Sequence, residues 1–225
     1  MDVLHLRAFI GLLILVLVMV ALIFGAAGTL HFWQGWLFLA CYFGASIVIT
    51  LYLARRDPAL LARRMRGGPW AEKEPTQRLI MSVASAGFIA LLVVPGLDHR
   101  FGWSHMPATV SIAGILLMLL GWAGIFRVFQ ENSFTSSTIE LAADQRVIST
   151  GPYAIVRHPM YAAALLMLLG SPISLGSWWG VLVVLALLPA LIWRLLDEER
   201  FLGRNLPGYV AYQGRVRYRL LPRIW

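Results

Sequence analysis

The sequence has few charged residues and almost no cysteine or lysine. Only 13% of its 225 residues are Asp, Glu, Lys or Arg, and Cys41 is the single cysteine. One cysteine excludes an intramolecular disulfide and a cysteine-ligated metal site, so Cys41 is expected to be a buried thiol, and no other metal site is predicted. Lys73 is the single lysine, and this arginine-rich composition favours a bacterial source with a GC-rich genome.

The chain is too apolar for a soluble domain. Hydrophobic residues make up 59% of it, and the mean hydropathy is +0.73. This composition places the chain among membrane proteins. The 19 Lys and Arg outnumber the 11 Asp and Glu, but they lie beside apolar stretches. That placement indicates membrane topology and contact with anionic lipid, and no nucleic-acid partner is expected.

Long uncharged stretches predict about six membrane spans. Residues 8–30, 32–53, 79–97 and 108–126 are each close to the length of about 20 residues that crosses the hydrocarbon. A signal peptide is the alternative for the first stretch, but its apolar core is longer than the roughly 7–15 residues of a signal sequence. Residues 159–193 are uncharged, and Ser171-Pro172 and Gly176-Ser177 interrupt them near the middle. We therefore predict a tight helical hairpin there.

The distribution of basic residues predicts the orientation. If Arg7 is inside and the spans alternate, Arg100 is the only one of the 19 basic residues on the outside. This bias requires an even number of spans with both termini in the cytoplasm. The prediction is an all-α, polytopic membrane helical bundle, placed in a bacterial inner membrane. Residues 1–130 would form a four-span scaffold, and residues 131–225 a catalytic region with the hairpin and a cytoplasmic C-terminal helix.

The stretch from Gly151 to Tyr161 concentrates polar chemistry before the hairpin. Pro159 lacks an amide hydrogen and so suits the first turn of the fifth span. His158 would then lie at the helix start, where free amides and the helix dipole attract a carboxylate or phosphate, and Arg157 adds a permanent cation. The alternative is structural: Arg157 would reach lipid phosphate, and His158 would cap the helix.

Two further clusters follow the hairpin. Arg194 and Glu198 are four residues apart and share a helix face. A hairpin would bring them, with Glu199, close to Arg157 and His158, although an exposed, salt-bridged helix end is the alternative. Tyr209 and Tyr212 also share a face and could close a pocket, or they could anchor a helix at the membrane surface.

These motifs resemble those of the isoprenylcysteine carboxyl methyltransferases and the related phospholipid methyltransferases. The shared pattern is Gly151-x-Tyr153-x-x-x-Arg157-His158-Pro159-x-Tyr161, then Glu198-Glu199, then Gly208-Tyr209-x-x-Tyr212 and Leu221-Pro222. It covers roughly the last ninety residues. The resemblance implies an integral-membrane methyltransferase that uses S-adenosylmethionine and has a cytoplasmic cofactor pocket.

The resemblance also implies roles for individual residues. The cofactor site would comprise Gln145, Arg146, Val147, Ile148, Tyr153, His158, Pro159, Met160, Tyr161, Glu198 and Glu199. Arg194 matches an arginine assigned to the methyl-accepting substrate. A glutamine of the family, further upstream, has no match in this sequence, and Glu140 or Thr138 could stand in for it.

The chemistry of these side chains fits S-adenosylmethionine. The helix start with His158 could bind its carboxylate, Glu198 its ribose hydroxyls or ammonium, and Tyr153 or Tyr161 its adenine. A carboxylate acceptor needs no general base, and Arg194 or Arg157 would orient it as the catalytic arginine. An amine or thiol acceptor would need a base, for which Glu199 and His158 are the candidates.

Two other functions compete with this prediction. A membrane reductase of the sterol-reductase type would bind NADPH, with Arg215 and Arg217 holding its phosphate. A scaffold without activity would use the same clusters as lipid anchors. The expected partners are membrane lipid and a lipophilic acceptor, which could be a carboxylate, a thiol or a phospholipid amine.

Overall fold

The computed structural model describes residues 3–72, 74–142 and 144–225. Within these residues, all regular secondary structure is helical. The α-helices are α1 (Val3–Ala27), α2 (Trp33–Arg56), α3 (Pro58–Met65), α4 (Pro75–Phe101), α5 (Ala108–Glu131), α6 (Pro159–Ser174), α7 (Trp178–Asn205) and α8 (Tyr209–Arg215). Short 3₁₀ helices cover Pro69–Ala71 and Gly151–Ala154. The predicted all-α class is confirmed.

Five helices are long and apolar enough to cross a membrane, namely α1, α2, α4, α5 and α7. The remaining apolar helix, α6, has 16 residues and is shorter than the roughly 20 that a perpendicular span needs. The structure thus agrees with the prediction of about six spans, with α6 as a short sixth helix. Such a set of helices is that of an integral membrane protein.

The predicted hairpin is formed by α6 and α7. Pro159 starts α6, as its missing amide hydrogen predicted. The turn covers residues 175–177, where Gly176 has a φ of 76° and the Ser177 side chain caps α7 by accepting from the Gly180 amide. Pro172, which was expected to help break the run, lies inside α6 instead.

Residues 98–100 lie beyond the predicted span 79–97, but they form the last turn of α4. The Asp98 side chain is buried, and it accepts hydrogen bonds from the Ser104 amide at 2.6 Å, the Ser104 hydroxyl at 2.7 Å and the Ser177 hydroxyl. Bonds to a buried carboxylate offset the cost of removing it from water. The helix ends at Gly102, whose φ of 64° is a conformation that glycine adopts without steric cost.

Close packing of α5 against α6 places the start of α6 beside the end of α5. A Cβ atom at Gly121 would lie 2.5 Å from the Met167 amide nitrogen and 2.7 Å from the Ala163 carbonyl oxygen. At Gly124 it would lie 2.8 Å from the Ala163 Cβ. Small residues let two membrane helices approach at backbone distance, and this contact fixes the short α6 in the bundle.

Candidate functional site

One cavity brings most of the predicted site residues together. It has a volume of about 750 Å³ and lies among α2, α5, α6, α7 and the segment of residues 132–148. Its lining includes Gln145, Arg146, Val147, Ile148, Tyr153, Arg157, His158, Pro159, Met160, Tyr161, Arg194 and Glu198. Glu199 is the predicted site residue that lies outside this lining. The volume is within the range of pockets that bind small molecules and cofactors.

The start of α6 faces a carboxylate of α7 across the cavity. The Tyr161 hydroxyl donates a hydrogen bond of 2.6 Å to Glu198 Oε2. The rings of His158 and Tyr161 meet edge to face, with their centroids 5.6 Å apart. The amides of Met160 and Tyr161 belong to the first turn of α6, where a helix leaves its amides without internal partners. This end of the cavity thus combines amide donors with one carboxylate.

Glu199 ties the C-terminal segment to the start of α6. Its Oε1 accepts from Arg157 Nε at 2.6 Å and lies 3.2 Å from His158 Nε2, while its Oε2 accepts from Arg219 Nε at 2.8 Å. Arg157 also donates to the carbonyl oxygens of Val216 and Arg217. These bonds hold Arg157 inside the protein rather than at lipid phosphate. The His158 side chain contacts Glu199 and makes no capping hydrogen bond to α6.

Arg194 is held by two buried residues, Glu72, which precedes α4, and Gln77, which lies in the first turn of α4. Its Nη2 donates to Glu72 Oε1 at 2.8 Å and to the Ser137 carbonyl at 2.9 Å, and its Nη1 donates to Gln77 Oε1 at 2.9 Å. Glu72 and Gln77 are 3% and 2% exposed. Gln77 in turn donates to Asp197. The guanidinium that lines the cavity is therefore fixed in position by a network reaching from α7 to α4.

The segment of residues 132–140 lies over the cavity and is fastened by α3. Arg63 and Arg64 donate to the carbonyls of Ser133 and Ser136, and the Ser137 hydroxyl donates to the Arg64 carbonyl at 3.0 Å. Thr138 and Glu140, the two residues that could stand in for the family glutamine, both line the cavity here. Burial lowers the pKa of the Arg64 guanidinium, which remains a cation at neutral pH.

Three tyrosines close the cavity on the side of α8. The Tyr212 hydroxyl donates to the Tyr153 carbonyl at 2.8 Å, and Asn132 donates to the Tyr153 hydroxyl at 2.9 Å. Tyr209 and Tyr212 are buried and line the cavity, so α8 packs onto the site rather than lying at a membrane surface. Burial raises the pKa of Tyr212 to about 12 and also raises those of Tyr153 and Tyr209. All three phenols are therefore neutral at physiological pH.

The other end of the cavity is mostly apolar and extends between the membrane helices. Its lining consists of Leu12, Leu15, Tyr42, Ser46, Ile49, Thr50, Leu53, Met81, Trp122, Ile125, Phe129 and Met167. These residues come from α1, α2, α4, α5 and α6. A single cavity thus joins a polar end, near the ends of α5 and α7, to an apolar end within the bundle.

Sequence reasoning missed several residues of the site. Arg64, Glu72, Gln77 and Asn132 were not identified as site residues. One available signal was Glu72, an acidic residue within a strongly basic segment. Gln77 and Asn132 carried no comparable signal. Arg215 and Arg217, the cations assigned to the reductase alternative, lie outside the lining of the cavity.

Comparison with known proteins agrees with this geometry. Residues 109–207 match the sequence model of the phospholipid methyltransferase family. The match spans α5 to α7 and includes the start of α6 and the Glu198-Glu199 pair. This region is therefore similar in sequence to the phospholipid methyltransferases, which confirms the predicted resemblance to the group that also comprises the isoprenylcysteine carboxyl methyltransferases.

A curated relative is similar over part of the chain. It is the cobalt-zinc-cadmium resistance protein CzcN of Cupriavidus metallidurans, and the two chains are 31% identical over 134 residues. The aligned stretch covers 52% of this chain and 62% of that protein.

Proposed function

We propose that the protein transfers a methyl group from S-adenosylmethionine to a lipophilic acceptor. The observation that carries the proposal is the single cavity, whose polar end holds the family motif and whose apolar end extends between membrane helices. A cofactor that enters from water and a membrane-dissolved acceptor could meet there without the acceptor leaving the bilayer. The distribution of basic residues supports a polar end at the cytoplasmic face, and we propose a bacterial inner membrane as its location. Residues 1–130 would then be the scaffold, and residues 131–225 the catalytic region.

The residues at the polar end fit S-adenosylmethionine. The cofactor's carboxylate would bind at the start of α6, where the amides of Met160 and Tyr161 and the helix dipole favour an anion. Glu198 would accept hydrogen bonds from the ribose hydroxyls or from the ammonium group, since Tyr161 occupies only one of its oxygens. Tyr153 offers an aromatic face for the adenine. When bound, the cofactor supplies an electrophilic methyl group on a sulfonium.

The side chains favour a carboxylate as the acceptor's reactive group. Arg64 and Arg194 both line the cavity and offer two fixed cations to an anion. The candidates for a general base are engaged elsewhere, because Glu199 lies outside the cavity and bonds to two arginines and His158. The tyrosines are neutral. A carboxylate is already a nucleophile, so no residue of this chain has to remove a proton from it.

Two structural elements exclude water from the proposed reaction. The segment of residues 132–140 covers the cavity and is tied to α3 and α7, and α8 closes it from the other side. In a dry cavity, the attraction between a guanidinium and a carboxylate is stronger than in water, and a held acceptor loses less entropy on reaching the reactive geometry. Arg194 would orient the acceptor, whereas Arg157 would support the site through Glu199.

Binding of S-adenosylhomocysteine to the detergent-purified protein tests the proposal by calorimetry. We expect saturable binding that Glu198→Ala and His158→Ala each weaken at least tenfold. Arg215→Ala serves as the control, because Arg215 lies outside the cavity, and it should bind as the wild type does. Lack of binding by a protein that melts cooperatively would refute the proposal, and NADPH would then be tested as the ligand of the reductase alternative.

A further inference from the structure

A line of hydroxyl groups follows α2 along the apolar end of the cavity. Tyr42, Ser46 and Thr50 are spaced four residues apart, so they lie on one face of the helix, and all three line the cavity. We call these three residues the hydroxyl ladder. With a rise of 1.5 Å per residue, Thr50 lies about 9 Å and Tyr42 about 21 Å from Arg56, where α2 ends. The ladder is therefore in the part of the helix that membrane hydrocarbon would surround.

The ladder differs from three serines of the other membrane helices. Ser82, Ser85 and Ser171 each donate to the carbonyl oxygen four residues earlier, at 2.7 to 2.8 Å, which is the usual way to satisfy a hydroxyl in a membrane helix. Among the residues that the structure describes, Tyr42, Ser46 and Thr50 make no hydrogen bond to another residue. An unpaired hydroxyl away from water costs free energy, so a partner in the cavity would be favoured.

The surroundings of the ladder define what that partner can be. Leu12, Leu15, Ile49 and Ile125 line the same part of the cavity, whereas the arginines of the lining come from α3, the segment of residues 132–148, the residues just before α6, and α7. A charged group would be poorly solvated in such a place. A neutral oxygen atom of a ligand fits this place, because each hydroxyl can donate a hydrogen bond to it. The hydrocarbon on either side of that oxygen would pack against the leucine and isoleucine side chains.

We propose that the hydroxyl ladder binds an oxygen atom in the membrane-embedded part of the acceptor. The acceptor is then a lipophile whose chain carries a carbonyl or ether oxygen, and the cavity selects it over a plain hydrocarbon chain. For the reactive head group of the acceptor, this proposal rests on the proposed function. For the oxygen in the hydrocarbon chain of the acceptor, it rests on the cavity alone.

Binding of two matched probes tests the ladder without methyl transfer. Octadecanoic acid and its mono-oxo derivatives, which are isomers of one another, have the same chain length and the same carboxylate, and the derivatives carry one additional carbonyl oxygen along the chain. We expect one oxo isomer to compete about 3- to 10-fold better than octadecanoic acid for the detergent-purified protein, the gain of one net hydrogen bond. Its infrared carbonyl band should shift to lower frequency on binding.

Variants locate the effect. Thr50→Val, Ser46→Ala and Tyr42→Phe remove the hydroxyls with little change of shape, and at least one should abolish both the preference and the infrared shift while octadecanoic acid still binds. Ser85→Ala is the matched control, because its hydroxyl bonds to its own helix, and it should keep the preference. A wild type that does not distinguish the probes, or a preference that survives all three substitutions, overturns the proposal.

The two proposals fail in different ways. If the oxo isomer is preferred but S-adenosylhomocysteine does not bind, the ladder is real and the methyltransferase function is wrong. If S-adenosylhomocysteine binds and no oxo isomer is preferred over octadecanoic acid, the proposed function stands and the hydroxyl ladder does not bind an oxygen of the acceptor.

Discussion

The Tyr161 hydroxyl donates to Glu198 Oε2 at 2.6 Å and so links the start of α6 to the C-terminal part of α7. The two residues are 37 positions apart in sequence, and the hairpin of α6 and α7 brings them together. The bond orients the carboxylate that we assign to the cofactor.

Loss of this bond should weaken the cofactor site without unfolding it. Tyr161→Phe keeps the ring and removes the donor, so we expect S-adenosylhomocysteine to bind about 3- to 10-fold more weakly, which is about the value of one typical net hydrogen bond. Tyr52→Phe is the control, since Tyr52 packs against Phe126 outside the cavity. Equal affinity of Tyr161→Phe and wild type would show that the orientation of Glu198 does not matter for binding.

Glu199 should stabilise the fold rather than contact the ligand. Glu199→Gln leaves the buried Arg157 beside a neutral partner, and breaking a buried ion pair in this way costs about 3–5 kcal/mol. Chemical unfolding in detergent measures the change. Arg219→Ala should cost much less, because the Arg219 side chain is 32% exposed. A stable Glu199→Gln that has lost cofactor binding would instead place Glu199 in the site.

Glu72 should act through Arg194. In Glu72→Gln the guanidinium loses the carboxylate that fixes it, so the KM for a carboxylate acceptor should rise about tenfold while S-adenosylhomocysteine binds unchanged. Steady-state kinetics and calorimetry separate the two effects. Glu74→Gln changes an exposed residue nearby and should leave both quantities as they are. A lower kcat with an unchanged KM would exclude a role in acceptor binding.

The contact between α5 and α6 should tolerate no added methyl group. Gly121→Ala places a Cβ against the backbone of α6, and we expect it to lower the free energy of unfolding by about 1–3 kcal/mol. Gly44→Ala is the matched control, because no atom lies within 4 Å of the added Cβ. Equal stability of the two variants would mean that α6 can shift away from α5 freely.

The closure of the cavity by α8 should depend on pH in the alkaline range. Burial raises the pKa of Tyr212 from 10 to about 12, so the folded state holds the phenol proton more tightly than the unfolded state. This contribution to stability is complete below pH 10 and is lost as the pH rises to about 12. Melting temperatures across that range should fall, and less steeply in Tyr212→Phe. An identical slope in the two proteins would contradict the assignment.

The sequence predicted the spans better than their ends. Apolar length identified the membrane helices and the hairpin, and Pro159 marked the start of α6. The last turn of α4 was missed, because Asp98 is polar in sequence and only its bonds to Ser104 and Ser177 make it a helical, buried residue. Such partners lie up to 79 residues away and leave no local pattern.

The same limit applies to the site. A recognisable motif located His158, Tyr161 and Glu198, and all of them line the cavity. The roles of Glu199 and Arg157 were harder to predict, because the carbonyls and the arginine that hold them come from residues 216–219. Glu72 and Gln77 were missed since their importance follows from contact with Arg194, more than 115 positions later.

The backbone amides of Arg157 and His158 donate to the carbonyls of Tyr218 and Arg219, at 2.9 Å each. The start of α6 is thus held by residues that a ribosome makes after helices α1 to α8. During synthesis, the membrane helices among them can insert before residues 216–219 emerge to hold Arg157 and His158. Insertion and the appearance of a competent site are therefore separate events, and a nascent chain already held in the bilayer would have no finished pocket until residues 216–219 are in place.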